Sequence, residues 1–142
     1  MTQVDFYTHV ENRLQMLCTL AAKALARNRR LMILTGDLEA AERVDKHMWQ
    51  QPAVGFLPHC RSDHPLAMVT PIIIDHRAEP VVHEEILVNL CESCPAVFSR
   101  FERVLEIVGL DDQERELARN RYRFYRDRGY EIRTHDMKEL AA

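Results

Sequence analysis

The chain has 142 residues, 46% of them hydrophobic and 29% charged, with a formal net charge of −3. That length carries one domain over residues 1–142, and the acidic balance excludes a protein that coats nucleic acid over its whole surface. No apolar run approaches the roughly 18 residues of a membrane span, Met1 to Asp5 lacks the pattern of an export signal, and the four cysteines then read as reduced thiols of a cytoplasmic protein.

Val4-Asp5-Phe6-Tyr7 reads as a first strand. Leu14, Leu17, Cys18, Ala21 and Leu25 mark one face of a helix from Glu11 to Asn28. Leu31-Met32-Ile33-Leu34 is the continuous apolar run of a strand buried on both faces. Thr35-Gly36-Asp37 is a turn, with Asp37 placed to cap a helix running to Trp49. Gln50 to Asp63, with Pro52, Gly55 and Pro58, reads mostly as loop. Val69 to Asp75 reads as a strand despite Pro71, and Ile86-Leu87-Val88-Asn89 as another. Pro95 suits the first turn of a short helix through Ser99, and Arg103 to Val108 fits strand or helix by pattern, with strand favoured. Asp111 and Glu114 resemble a capping box for a helix to Arg128, which Gly129 stops. Strands alternating with helices predict a single α/β domain, a largely parallel sheet with helices on both faces.

Arg115, Arg119, Tyr122 and Arg126 fall in one narrow stripe of the last helix, at about 100° per residue. Leu117 and Phe124 lie on its opposite side as the expected core anchors. Such a stripe is either a solvated face or a surface that captures an acidic peptide or a phosphate backbone. Trp49 precedes the proline-broken loop and Phe56 lies within it, either as binding anchors or as caps on the core. Cys91-Glu92-Ser93-Cys94 is a C-x-x-C that opens a thiol-redox reading, or a zinc site with Cys60 and His59 or His64. The Gly36 turn is the kind of junction where nucleotide folds bind phosphate, yet it holds a single glycine and no phosphate-loop motif. An α/β nucleotide-binding or thiol-redox domain using Cys91 and Cys94 is therefore the alternative function.

Several stretches, in order along nearly the whole chain, are similar to the chi subunit family of bacterial DNA polymerase III. They are Phe6-Tyr7, Val44 to Trp49 leading to Pro52 and Phe56-Leu57-Pro58-His59, then Pro71 to Ile74, Leu87 to Leu90, Phe101 to Val108, and Ala118 to Arg126 with Gly129-Tyr130. The resemblance implies a Rossmann-like α/β sheet without a functional nucleotide site, no cofactor and no catalysis of its own. It implies a replication adaptor with two surfaces, touching nucleic acid only through its partners. One surface, at positions matching Val108, Arg115, Arg119, Tyr122, Arg123 and Arg126, would bind the acidic, phenylalanine-terminated tail of single-stranded-DNA-binding protein. The other, at Trp49, Pro52 and Phe56, would bind the psi subunit of the clamp loader or a helicase. Cys91 and Cys94 are not part of the family pattern, and Thr134 to Ala142 extends past the matching stretches.

Overall fold

Leu31 to Thr35 are buried at every position, as are Ile72 to Asp75, because both segments are central strands covered on two faces. They belong to a computed structural model that describes residues 2–50, 57–77 and 81–140. In chain order the strands are β1 (Gln3–Thr8), β2 (Leu31–Thr35), β3 (His59–Cys60), β4 (Ile72–Asp75), β5 (Ile86–Leu90), β6 (Arg103–Ile107) and β7 (Glu131–Asp136). They form one sheet in the order β3-β4-β2-β5-β6-β1-β7, with every pairing parallel. The helices are α1 (Arg13–Ala26), α2 (Leu38–Trp49), α3 (Asp112–Asp127) and the single turn α4 (Met137–Leu140). No described helix is long and apolar enough to cross a membrane.

The predicted parallel sheet with helices on both faces is the observed one. On one face Leu17, Ala21 and Ala24 of α1 and Ala41, Val44 and Met48 of α2 pack on Ile33, Ile74 and Val88. On the other, Ala118 and Tyr125 of α3 and Phe98 of a 3-10 segment (Ala96–Arg100) pack on Val4, Met32, Leu87 and Val104. The caps follow the sequence. Asn12 accepts from the Gln15 N–H at 3.1 Å, and Asp37 from the Ala40 N–H at 2.8 Å. Asp111 accepts from the Glu114 N–H at 3.1 Å, but the Glu114 carboxylate turns to Arg13 at 2.7 Å, so only half of the expected capping box forms. Gly129, at φ +80°, closes α3: its N–H meets the Arg126 carbonyl at 3.0 Å and the Tyr130 N–H the Tyr125 carbonyl at 3.2 Å.

Four expectations change. The strand placed at Val69 to Asp75 begins only at Ile72, after a 3-10 turn (Ala67–Val69); Pro71 has no N–H, and its carbonyl instead accepts from Leu31 N–H at 2.9 Å. The loop placed at Gln50 to Asp63 contains β3, docked on β4 through Ser62 and Arg61, which both donate to the buried Asp75 carboxylate. Glu131 to Asp136 forms an unforeseen seventh strand on the β1 edge. Its His135 stacks on Tyr7 at 4.7 Å and lies 3.1 Å from Asp5. Finally, Leu117 and Phe124 are only half-buried, whereas Ala118, Arg121 and Tyr125 form the buried face of α3. The reason is polar. Glu106 on β6 is fully buried, and the helix turns so that Arg121 Nε reaches it at 2.8 Å and the Tyr125 hydroxyl donates to it at 2.7 Å. Asn89 on β5 adds a third donor at 2.9 Å.

A buried histidine gives the fold a pH response. His83 is 8% exposed, its Nδ1 accepts from the Glu85 N–H at 3.1 Å, and burial holds its proton affinity below the ordinary histidine value. The native state therefore binds this proton less readily than the unfolded chain, and its stability is complete above about pH 6.5 and falls below it. Each pH unit in which only the unfolded chain is protonated removes about 1.4 kcal/mol. Urea midpoints between about pH 8 and pH 5 should drop less in His83→Asn, whose amide oxygen can still accept from Glu85, than in the wild type. Parallel curves would show that His83 contributes no such term.

Candidate functional site

Parallel sheets place ligand sites beyond the carboxyl ends of their strands, and two of the hollows found there bear on the sequence reading. The first is where the strand order diverges, between β2 and β5. A crevice of about 640 Å³ is bordered by Thr35, Gly36, Asp37, Cys91 and Glu92. This is the position a nucleotide phosphate takes in related architectures, but the α2 N-terminus is already occupied by the Asp37 carboxylate. Asp37 and Glu92 make the crevice hostile to phosphate. The C-x-x-C at its rim is equally unsuited to redox work. Burial pushes both Cys91 and Cys94 up to about 11, so they are thiols rather than thiolates at neutral pH. The zinc reading also fails on topology: His59 and Cys60 sit on β3, separated by β4 and β2 from β5, which Cys91 and Cys94 follow, and no group of three or more His, Cys, Asp or Glu among the described residues could hold a metal.

The second hollow lies at the other end of the sheet, where α3 crosses the ends of β6, β1 and β7. It is a cleft of about 360 Å³. Phe6, Val108 and Ala118 give it an apolar floor, each of them at most 5% exposed. Arg115, Arg119 and Tyr122 of α3 form one wall, and Thr8, His9 and Thr134 the other. The backbone that carries the β1 side is pinned: Val108 N–H donates to Tyr7 O at 2.8 Å, and Val10 N–H to Val108 O at 3.0 Å. Tyr122 packs edge-on against Phe6 at 5.5 Å, which holds its ring beside the floor. The arginines are held loosely. Arg119 meets Glu116 at 3.1 Å and Arg115 meets Asp112 at 3.9 Å, both exposed pairs of the kind that exchange readily with another carboxylate. An apolar floor beside two available guanidinium groups suits a ligand with an apolar side chain next to carboxylates.

Of the six residues placed on the α3 surface, the cleft brings together Val108, Arg115, Arg119 and Tyr122. Arg123 and Arg126 are not part of its lining. Arg123 donates to Asn120 at 3.2 Å and Arg126 pairs with Asp127 at 3.1 Å, both on the exposed side of the helix. The sequence reading missed Phe6, His9, Ala118 and Thr134 as cleft residues. The available signal was their place at or beside the carboxyl ends of parallel strands and under the arginine stripe.

Trp49 stands away from this cleft, at the end of α2 on the opposite face of the sheet. Its ring is 62% exposed and packs edge-on against His59 at 5.0 Å, so it does not cap the core. Leu66, Met68 and Val69 are further exposed apolar residues. Pro52 and Phe56 lie outside the described residues.

Residues 1–133 match the family model of the DNA polymerase III chi subunit, HolC. Among similar proteins, DNA polymerase III subunit chi of Pseudomonas aeruginosa is 29% identical over 144 residues, covering 99% of this chain and 100% of that protein. Subunit chi of Escherichia coli K12 is 30% identical over 139 residues, covering 94% of this chain and 89% of that protein. Subunit chi of Haemophilus influenzae is 26% identical over 138 residues, covering 94% and 96%.

Proposed function

Because the chain belongs to the DNA polymerase III chi subunit family, an accessory part of the replicative polymerase, we propose that it is a non-catalytic adaptor that bridges the clamp loader to protein-coated single-stranded DNA. The observation that supports this most strongly is the cleft, whose floor of Phe6 and Val108 lies beside Arg115, Arg119 and Tyr122. A tail ending in acidic residues and phenylalanine complements it: the ring takes the apolar floor, and the terminal and side-chain carboxylates take the guanidinium groups. Arg123 and Arg126 extend the positive field along α3 and attract the tail before it docks. Full-length single-stranded-DNA-binding protein should bind the chain on a sensor surface, and the same protein lacking its C-terminal tail should not. Equal binding of the two would refute the tail as the contact.

Trp49 is the described residue of the second surface, for a psi-like clamp-loader subunit or a helicase, to which the family resemblance adds Pro52 and Phe56 by sequence position. Trp49→Ala should weaken that partner by about 2 kcal/mol or more, as aromatic anchors do, while leaving the tail contact intact on the other face. Since the ring is 62% exposed, the melting temperature should hardly move. A large drop in thermal stability would return Trp49 to the core.

A further inference from the structure

The wall of the cleft facing the arginines holds a group whose charge depends on pH. His9 follows β1 in the left-handed backbone region, at φ +56°. Its ring Nδ1 is 2.8 Å from Asp136 Oδ1 at the end of β7. That carboxylate is itself fixed, because the same oxygen accepts from the Lys138 N–H at 3.0 Å. An ionised carboxylate only accepts, so Nδ1 carries a hydrogen, and the second proton of an imidazolium goes to Nε2. Protonation therefore converts a half-exposed ring in the cleft wall from a neutral group into a cationic donor.

We propose that His9 is a further recognition residue of the tail cleft, which binds a carboxylate of the tail from the wall opposite Arg115 and Arg119 and makes capture tighter as pH falls. This rests on the tail reading of the cleft and adds to it a second wall and a pH dependence. The charged groups around His9 are Asp136 on β7, Arg115 and Arg119 across the cleft, and Glu11 and Lys138 around the hollow behind it. A carboxylate bound beside the ring attracts its cationic form, so tail binding and protonation of His9 reinforce one another by linkage.

The test is a calorimetric titration of an N-acetylated acidic peptide ending in phenylalanine, at about pH 8, 7 and 6, where the peptide's own carboxyl groups stay ionised. The wild type should bind about two- to fivefold more tightly at the acid end, the range of a half-exposed charge pair. His9→Asn, a residue that tolerates the left-handed backbone, should lose that gain. His135→Gln removes the other histidine at the β1 edge and should keep it. A pH response that survives in His9→Asn, or is absent from the wild type, would overturn the proposal. Arg119→Ala separates the two claims. If it binds like the wild type, the cleft is not the tail site and the role of His9 falls with it. If it binds weakly while His9→Asn keeps the full pH response, only the role of His9 falls.

Discussion

Arg121→Met should cost the fold about 3–5 kcal/mol, the loss expected when one partner of a buried ion pair is removed. Arg121 is 6% exposed and Glu106 fully buried, and burial already pushes the Glu106 carboxyl above its ordinary value, with Arg121, Asn89 and Tyr125 pulling it back. Without the guanidinium, Glu106 would keep only the Asn89 amide and the Tyr125 hydroxyl as donors. A raised carboxyl lends stability below its unfolded value near 4.3, and that stability is lost as pH rises through the folded value. The variant's deficit should therefore be largest at neutral pH and shrink in acid. Urea unfolding of Arg121→Met, Glu106→Met and the double variant would measure the coupling. The double variant should recover part of the loss, since no charge is left buried, but not all of it, because Asn89 and Tyr125 lose their acceptor. A single Arg121→Met change that leaves the urea midpoint unmoved would contradict this account of how α3 is seated.

The same pair marks the limit of what could be read in the sequence. The central strands were legible because burial on both faces writes an unbroken apolar run, as at Leu31 to Leu34. The start of α2 and both ends of α3 were legible because Asp37, Asp111 and Gly129 act locally, whereas the Asn12 cap, which starts α1 at Arg13 rather than Glu11, was not read. The seat of α3 was not, because an arginine reads as solvent-facing unless its partner is known. The clue lay in two places: Glu106 interrupts the apolar run of β6, and Arg121 lies three residues after Ala118 and four before Tyr125. β3 is two residues long and β7 is a half-exposed edge, so neither carries enough apolar pattern to announce itself. At the candidate site the arginine stripe was legible as a stripe. The facing wall was not, since Thr8, His9 and Thr134 meet α3 only through the parallel pairing of β1 with β6 and β7.

Arg119→Ala should weaken binding of an acidic, phenylalanine-terminated peptide about tenfold, equal to ~1.4 kcal/mol. Well-made hydrogen bonds between charged groups contribute roughly 1.5–3 kcal/mol, and exposed ones less. Arg119 is exposed in the free protein and, among the described residues, pairs with Glu116 one turn away, so its removal should leave the fold intact. Lys23→Ala, an exposed change on the opposite helix layer, should bind as the wild type does. Affinity should fall as salt rises, because the contacts are charged and solvent-accessible. Equal affinities for the wild type, Arg119→Ala and Lys23→Ala in calorimetric titrations would remove Arg119 from the site.

The most direct measurement is an NMR titration of the isotopically labelled chain with that peptide, followed with the same peptide lacking its terminal phenylalanine. The account predicts the largest shift changes at Phe6, Val108, Ala118 and Tyr122, saturating with the full peptide and nearly absent with the truncated one. Shift changes concentrated around Trp49 and His59 or around Gly36 and Cys91, with the α3 cleft silent, would contradict it.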